Sequence, residues 1–178
     1  MRFAYADPPY LGCGKKFYGH LHPDAADYDD PETHRVLINR LSDEFPDGWA
    51  MSLSSSTLGV LLPMCPADVR IGAWVKPFHA FKKGVRPAYA WEPVIFRGGR
   101  NKKHAPPEKG GKATTPRDWV SANITLKKGL TGAKPPAVCE WILDLLNVLP
   151  GDELVDLFPG TGVMGTITAA RLSVEAAA

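Results

Sequence analysis

At 178 residues, with 44% apolar and 22% charged side chains, the chain has the length and composition of one soluble globular domain with a sizeable core, which excludes a fibrous or globally disordered protein. It holds no apolar run of about 18 residues and meets charge at Arg2 and Asp7, so neither a membrane span nor a signal peptide is expected, and the expected location is cytoplasmic. The net charge of +2 conceals an asymmetry: between Arg97 and Lys134 ten Lys or Arg face only Glu108 and Asp118, a local +8 that leaves −6 elsewhere.

Residues 2–6 (RFAYA) read as a short strand closed by Asp7-Pro8-Pro9, because proline cannot donate to a ladder and pushes the preceding residue out of the helical region. Gly12 and Gly14 loosen the segment 11–29, a loop suited to fold over a bound substrate or cofactor. DPETHRVLINRLSDEF places Asp30 as an N-cap and Pro31 at the first helical position, with Val36, Leu37, Ile38, Leu41 and Phe45 as the expected apolar face. WAMSL (49–53) reads as a buried strand and SSTLGVLLPMC as a short serine-capped helix. VRIGAWVKP (69–77) alternates like a strand, and so does AYAWEPVIF (88–96), where Pro93 predicts an edge or a bulge. From 97 to about 117 Gly, Pro and Lys without periodicity read as a loop. KPPAVCEWILDLLNVL sets Val138, Trp141, Ile142, Leu145 and Leu146 at helical spacing, with Trp141 in the core. DELVDLF is a strand, and PGTGVMGTITAAR turns through glycines into a last helix. Strands alternating with helices predict a mostly parallel α/β sheet. Cys13, Cys65 and Cys139 are odd in number and form no CxxC pair, which predicts reduced thiols.

Two stretches carry chemistry. In LVDLFPGTGVMG (154–165) a strand ending at Asp156 leads through Phe158-Pro159-Gly160-Thr161-Gly162 into a helix, a tight turn where a ligand can approach the backbone at a helix N-terminus. No Gly-Lys-Ser/Thr follows, so this is not a phosphate loop; on these residues alone a plain strand-to-helix connection is an equal reading. In ADPPY (6–10) the prolines fix the backbone so that the Asp7 carboxylate and the Pro8 carbonyl point the same way, with the flat face of Tyr10 beside them. Those parts hold a planar ring bearing an amino group: two acceptors and a stacking surface. A strand exit with a solvated Asp7 is the plainer alternative. The basic segment reads either as a polyanion contact, which releases counterions, or as a solvated loop. Cys13, His20 and His22 lack a fourth ligand and a tight pair, so no metal site is expected.

Together, Asp7-Pro8-Pro9-Tyr10 and the Phe158-to-Gly162 turn resemble the motifs of S-adenosylmethionine-dependent methyltransferases that modify exocyclic amino groups of bases. The catalytic motif comes first and the cofactor turn last, with Lys134-Pro135 just before the cofactor strand, an order similar to the permuted β-class DNA enzymes of the N6-adenine type. WEPVIFRG (91–98) is similar to the last strand of that family's catalytic half, so the resemblance spans nearly the whole chain. It implies a Rossmann-like α/β methyltransferase fold over residues 1–178, a mostly parallel open sheet with helices on both faces and an abbreviated C-terminal end. Residues 97–133 would be a basic target-recognition insertion. The resemblance makes Asp7, Pro8, Pro9 and Tyr10 catalytic. It assigns S-adenosylmethionine to Asp7, Lys134, Asp156, Phe158, Pro159, Gly160, Thr161, Gly162 and Glu175. DNA phosphates would meet Arg97, Arg100, Lys102, Lys103, Lys109, Lys112, Arg117, Lys127 and Lys128, with Trp119 or Asn123 open to recognition. Asp7 at the head of the motif favours adenine N6 over cytosine N4. RNA as substrate and a catalytically silent nucleic-acid-binding subunit are the alternatives, and a homodimer or a partner subunit would complete a shortened chain. Loops leaving the carboxyl ends of adjacent parallel strands meet in one cleft whichever comes first, so Asp7 and Phe158 are expected together. Lys76-Pro77 either lines the base pocket or is a plain strand exit.

Overall fold

The computed structural model describes residues 1–79, 83–101, 115–125 and 132–173. Its strands are β1 (Arg2–Ala6), β2 (Gly48–Ser52), β3 (Arg70–Val75), β4 (Trp91–Gly98), β5 (Trp119–Ser121) and β6 (Glu153–Asp156), joined in one sheet in the order β5-β3-β4-β2-β1-β6. β1 runs parallel to both β2 and β6, and β3 parallel to β5, while β4 is antiparallel to its two neighbours. The helices are α1 (Pro31–Glu44), the single turn α2 (Leu58–Leu61), α3 (Pro136–Leu146) and α4 (Val163–Leu172). No helix among the described residues is long and apolar enough to cross a membrane.

The period-two alternation of the strands sorts the core into two layers. Phe3, Tyr5, Ala50, Trp74, Val94 and Phe96 face α3 and α4, and meet Val138, Trp141, Ile142 and Leu146. Ala4, Ala6, Trp49, Met51 and Ile95 face the other way, toward Leu37, Ile38 and Leu41 of α1. The two β1 alanines leave room for α1 to close on the sheet. Each large side chain fully buried there contributes about 1.5–3 kcal/mol.

Four details differ from the sequence expectations. Val36 is 66% exposed, and the buried face of α1 runs His34, Leu37, Ile38, Leu41 instead, the true i, i+3, i+4, i+7 set. β4 is an internal strand, not an edge, although Pro93 lies within it. The ring is tolerated because the Pro93 carbonyl faces β2, accepting from Leu53 N–H at 3.2 Å, just where β2 ends; its missing donor faces the same gap. β5 forms inside the stretch read as a basic insertion, and β4 reaches into its start. The loop 11–29 is knit by its own bonds: a π-helical turn at Gly14–Tyr18 and a 3₁₀ segment at Pro23–Asp29, held where the Asp29 carboxylate accepts Gly14 N–H at 2.7 Å and Lys15 N–H at 3.0 Å. A Cβ at Gly14 would stand 1.9 Å from the Ala25 carbonyl oxygen, so only glycine fits that crossing. The three cysteines are free thiols, and burial pushes Cys139 up to about 12 and Cys65 to about 11.

Candidate active site

Both chemistry-bearing stretches leave the carboxyl ends of neighbouring strands. Tyr5 of β1 is in register with Asp156 of β6, and Leu157 N–H donates to the Tyr5 carbonyl at 2.9 Å, which brings the Asp7 exit and the glycine turn side by side. This is the cleft expected at the end of a parallel sheet. Tyr28, from the 3₁₀ segment, packs edge-on against Phe158 with ring centroids 5.4 Å apart, so the 11–29 loop is fastened to the turn.

Asp7 sits in a largely buried polar network. Lys134 Nζ donates to both Asp7 carboxylate oxygens at 2.7 Å and to the Tyr10 hydroxyl at 3.1 Å. Tyr10 in turn donates to Glu92 Oε2 at 2.7 Å, and the other Glu92 oxygen is paired with Lys76. Lys134 also lies 3.8 Å from Glu92, and both ammonium groups stand near the Trp74 ring, at 4.6 Å for Lys76 and 6.0 Å for Lys134. Two acids and two lysines leave the cluster without net charge, the condition under which buried ions are tolerated.

The protonation energies follow from who shares whom. Burial pushes the Asp7 carboxyl up, Lys134 opposes it, and the nearby Glu92 charge adds to the rise. Burial would raise Glu92 too, but Lys134 and Lys76 together outweigh it and hold it below the usual range. Burial alone would lower Lys134; Asp7 and Glu92 reverse that and keep it a cation. Asp156 is raised by burial, with the Asp7 charge contributing, although its Oδ1 accepts Phe158 N–H at 3.2 Å.

The Pro8 carbonyl takes no hydrogen bond from any described residue, so it stands beside Asp7 as an acceptor with its lone pairs open. Lys134 takes one site on each Asp7 oxygen, and a carboxylate has about four, so Asp7 too can accept a further donor. Across the cleft, Gly160 and Gly162 adopt φ of 45° and 74°, the left-handed region that glycine enters freely. A Cβ on Gly162 would meet no heavy atom within 4 Å, which leaves open space over the backbone just before α4. An open turn at the start of a ten-residue helix suits a carboxylate, and the acids Asp7 and Asp156 suit a positive centre. The site therefore fits a zwitterionic ligand that carries an extra cation.

The other expected site residues divide by position. Arg97 is paired with Asp68 and Arg100 with Asp152, both at the amino end of the parallel strands, away from Asp7. Arg117 lies with its guanidinium 5.3 Å from the Trp119 ring. The Asn123 side chain accepts Phe78 N–H at 3.1 Å, fastening the segment after β3. Lys102, Lys103, Lys109, Lys112, Lys127, Lys128 and Glu175 lie outside the described residues. Glu92 is not among the residues that the motifs point to. Its signal in the sequence is one acid inside the otherwise apolar strand WEPVIF. A solitary charge in a buried strand needs a partner.

No protein-family model and no curated protein matches the chain. Solved structures do. The PvuII DNA methyltransferase, cytosine-N4-specific, aligns with a TM-score of 0.61 at 17% identity, over 96% of this chain and 72% of that one. The M1.HpyAVI complex with SAM aligns at 0.55 and 18% identity, over 96% and 78%. A DNA modification methylase of Thermus thermophilus, TTHA0409, aligns at 0.53 and 18% identity, over 96% and 76%. The chain is similar to these in fold, a Rossmann-like sheet flanked by helices.

Proposed function

We propose that this chain transfers a methyl group from S-adenosylmethionine to the exocyclic amino group of a base in DNA, with adenine N6 as the target. The observation that carries the reading is the pair of acceptors at the β1 exit, the Asp7 carboxylate and the Pro8 carbonyl, hydrogen-bonded through β1 and β6 to an open glycine turn. The fold shared with structures named for DNA methylation and for a SAM complex supports it.

The cofactor's methionine end is assigned to Asp156 and the turn Phe158-Pro159-Gly160-Thr161-Gly162, where it supplies an electrophilic methyl group. The rest is the work of the chain. An exocyclic amino nitrogen is a poor nucleophile because its lone pair is delocalised into the ring. Asp7 and the Pro8 carbonyl accept its two hydrogens and favour the tetrahedral, positively charged nitrogen that develops on attack, a stabilisation specific to the transition state. Lys134 and Tyr10 orient Asp7, Glu92 holds both of them, and Lys76 balances Glu92. A base in a duplex must be flipped out to reach Asp7. Its phosphates are assigned to Arg117 and the lysines between 102 and 128, because Arg97 and Arg100 are engaged at the far end of the sheet.

Cytosine N4 is the second reading, supported by the specificity named for the PvuII structure. The test is transfer from labelled S-adenosylmethionine to unmethylated genomic DNA and to total RNA, with mass analysis of the product nucleosides. N6-methylated deoxyadenosine is expected; N4-methylated deoxycytidine would select the second reading, and label in RNA alone would replace the substrate. No transfer and no cofactor binding would leave a silent subunit.

A further inference from the structure

Trp91 and Glu92 are consecutive in β4, so their side chains leave opposite faces of the sheet. Glu92 enters the Asp7 network, and Trp91 points into a cavity of about 350 Å³ lined also by Ser55, Tyr89 and the loop 84–88, Arg86 among it. On that face α1 and α2 cover β1, β2 and β4, and no β3 or β5 side chain joins their core. Val75 opposite Trp91, and Trp119 in register with Ala73, are left exposed there: Trp91 is 38% and Trp119 44% accessible.

The charges single out the same place. The chain has nine arginines, all described, and seven of them are paired with an acid. Arg86 and Arg117 have no acid partner among the described residues, and each stands beside one of the two exposed tryptophans, Arg86 in the Trp91 cavity and Arg117 on the Trp119 ring. An indole next to an uncompensated guanidinium suits a flat, apolar ring attached to an anion.

We infer that this face is a binding track for a single nucleic-acid strand, with bases stacked on Trp91 and Trp119 and phosphates on Arg86 and Arg117. It rests on the nucleic-acid reading of the Asp7 site, which it extends: a strand whose target base enters at the carboxyl ends of β1 and β2 continues over the sheet onto the uncovered β4-β3-β5 wing. Stacking accepts any base, so the track holds the strand without reading its sequence.

The test is the affinity of the full chain for a fluorescently labelled single-stranded DNA oligonucleotide, followed by anisotropy over a range of salt, in Trp91→Ala, Trp119→Ala, Arg86→Gln and the wild type. Each alanine variant should bind about tenfold more weakly. Trp91→Phe, which keeps a flat ring, should recover most of the loss. Arg86→Gln should lower the slope of log affinity against log salt by about 0.7. S-adenosylmethionine titration of the same variants should be unchanged, which separates a lost contact from a lost fold. Wild-type affinity in both alanine variants overturns the track, even if methyl transfer proceeds. Affinity lost in those variants by a protein that transfers no methyl group leaves the track standing and removes the reading of the Asp7 site. A concentration-dependent dimer abolished by Trp91→Ala, with oligonucleotide affinity intact, would make the face a contact between copies and also overturn it.

Discussion

Asp7 and Asp152 are both aspartates at strand ends, both largely shielded from solvent, and both bound by a cation, yet their protonation energies move in opposite directions. At Asp152 burial raises the carboxyl, but Arg100, bonded to both oxygens and reaching Oδ2 at 2.7 Å, and Leu149 N–H at 2.9 Å overcome it, so the group titrates below the usual range. At Asp7 the cation is shared: Lys134 also serves Tyr10 and faces Glu92, and the carboxyl is left raised. An acid with a cation of its own stabilises the fold. One that shares its cation keeps accepting capacity for a ligand, at some cost in stability.

The largest effect is expected at the shared end. Asp7→Ala should lower methyl transfer by roughly 10³-fold or more while cofactor affinity stays near wild type. Transfer at the normal rate would break the contrast at once. Next, Lys134→Met strands two acids and should cost about 3 kcal/mol in urea unfolding. Because Lys134 lowers Asp7, its removal should also move the acid limb of the transfer rate to higher pH, since Asp7 must be ionised to accept the amino hydrogens. A limb that stays in place would mean another group controls it.

Glu92→Gln sharpens the comparison from the other side. Glu92 raises Asp7, so the acid limb should move to lower pH, with a smaller stability loss of about 2 kcal/mol because the amide still accepts from Tyr10. A shift in the same direction as Lys134→Met would show that the two act through structure rather than charge. The smallest effect is expected at Arg97→Gln, where an exposed pair with Asp68 is lost. Unfolding midpoint and oligonucleotide affinity should both be unchanged. A drop in affinity would bring the far end of the sheet into nucleic-acid contact.

Local patterns were legible because their causes are local. Proline after Asp7 stops β1 and glycines after Phe158 turn the chain wherever these residues stand. The readings that failed needed neighbours. Pro93 marks an edge only if a donor is required on its open side, and the end of β2 removes that requirement. Val36 is apolar but on the wrong side of α1, where His34 completes the buried face and its ring lies 3.0 Å from the Tyr28 carbonyl. The three-residue β5 is held by its register with β3, which no property of Trp119–Ser121 alone announces.

By itself, then, the amino-acid sequence determined the strand-helix alternation, the rigid acceptor pair at Asp7 and Pro8, and the open turn at Gly160–Gly162. Each depends on backbone constraints within a few residues. Only the tertiary structure decided how Asp7 is charged. Lys134 is 127 residues away in the chain, and Glu92 reaches the cluster because antiparallel pairing sets it opposite Trp74, on the face where Tyr10 descends. Electrostatic energy depends on distance and burial in space, and neither is a property of sequence separation.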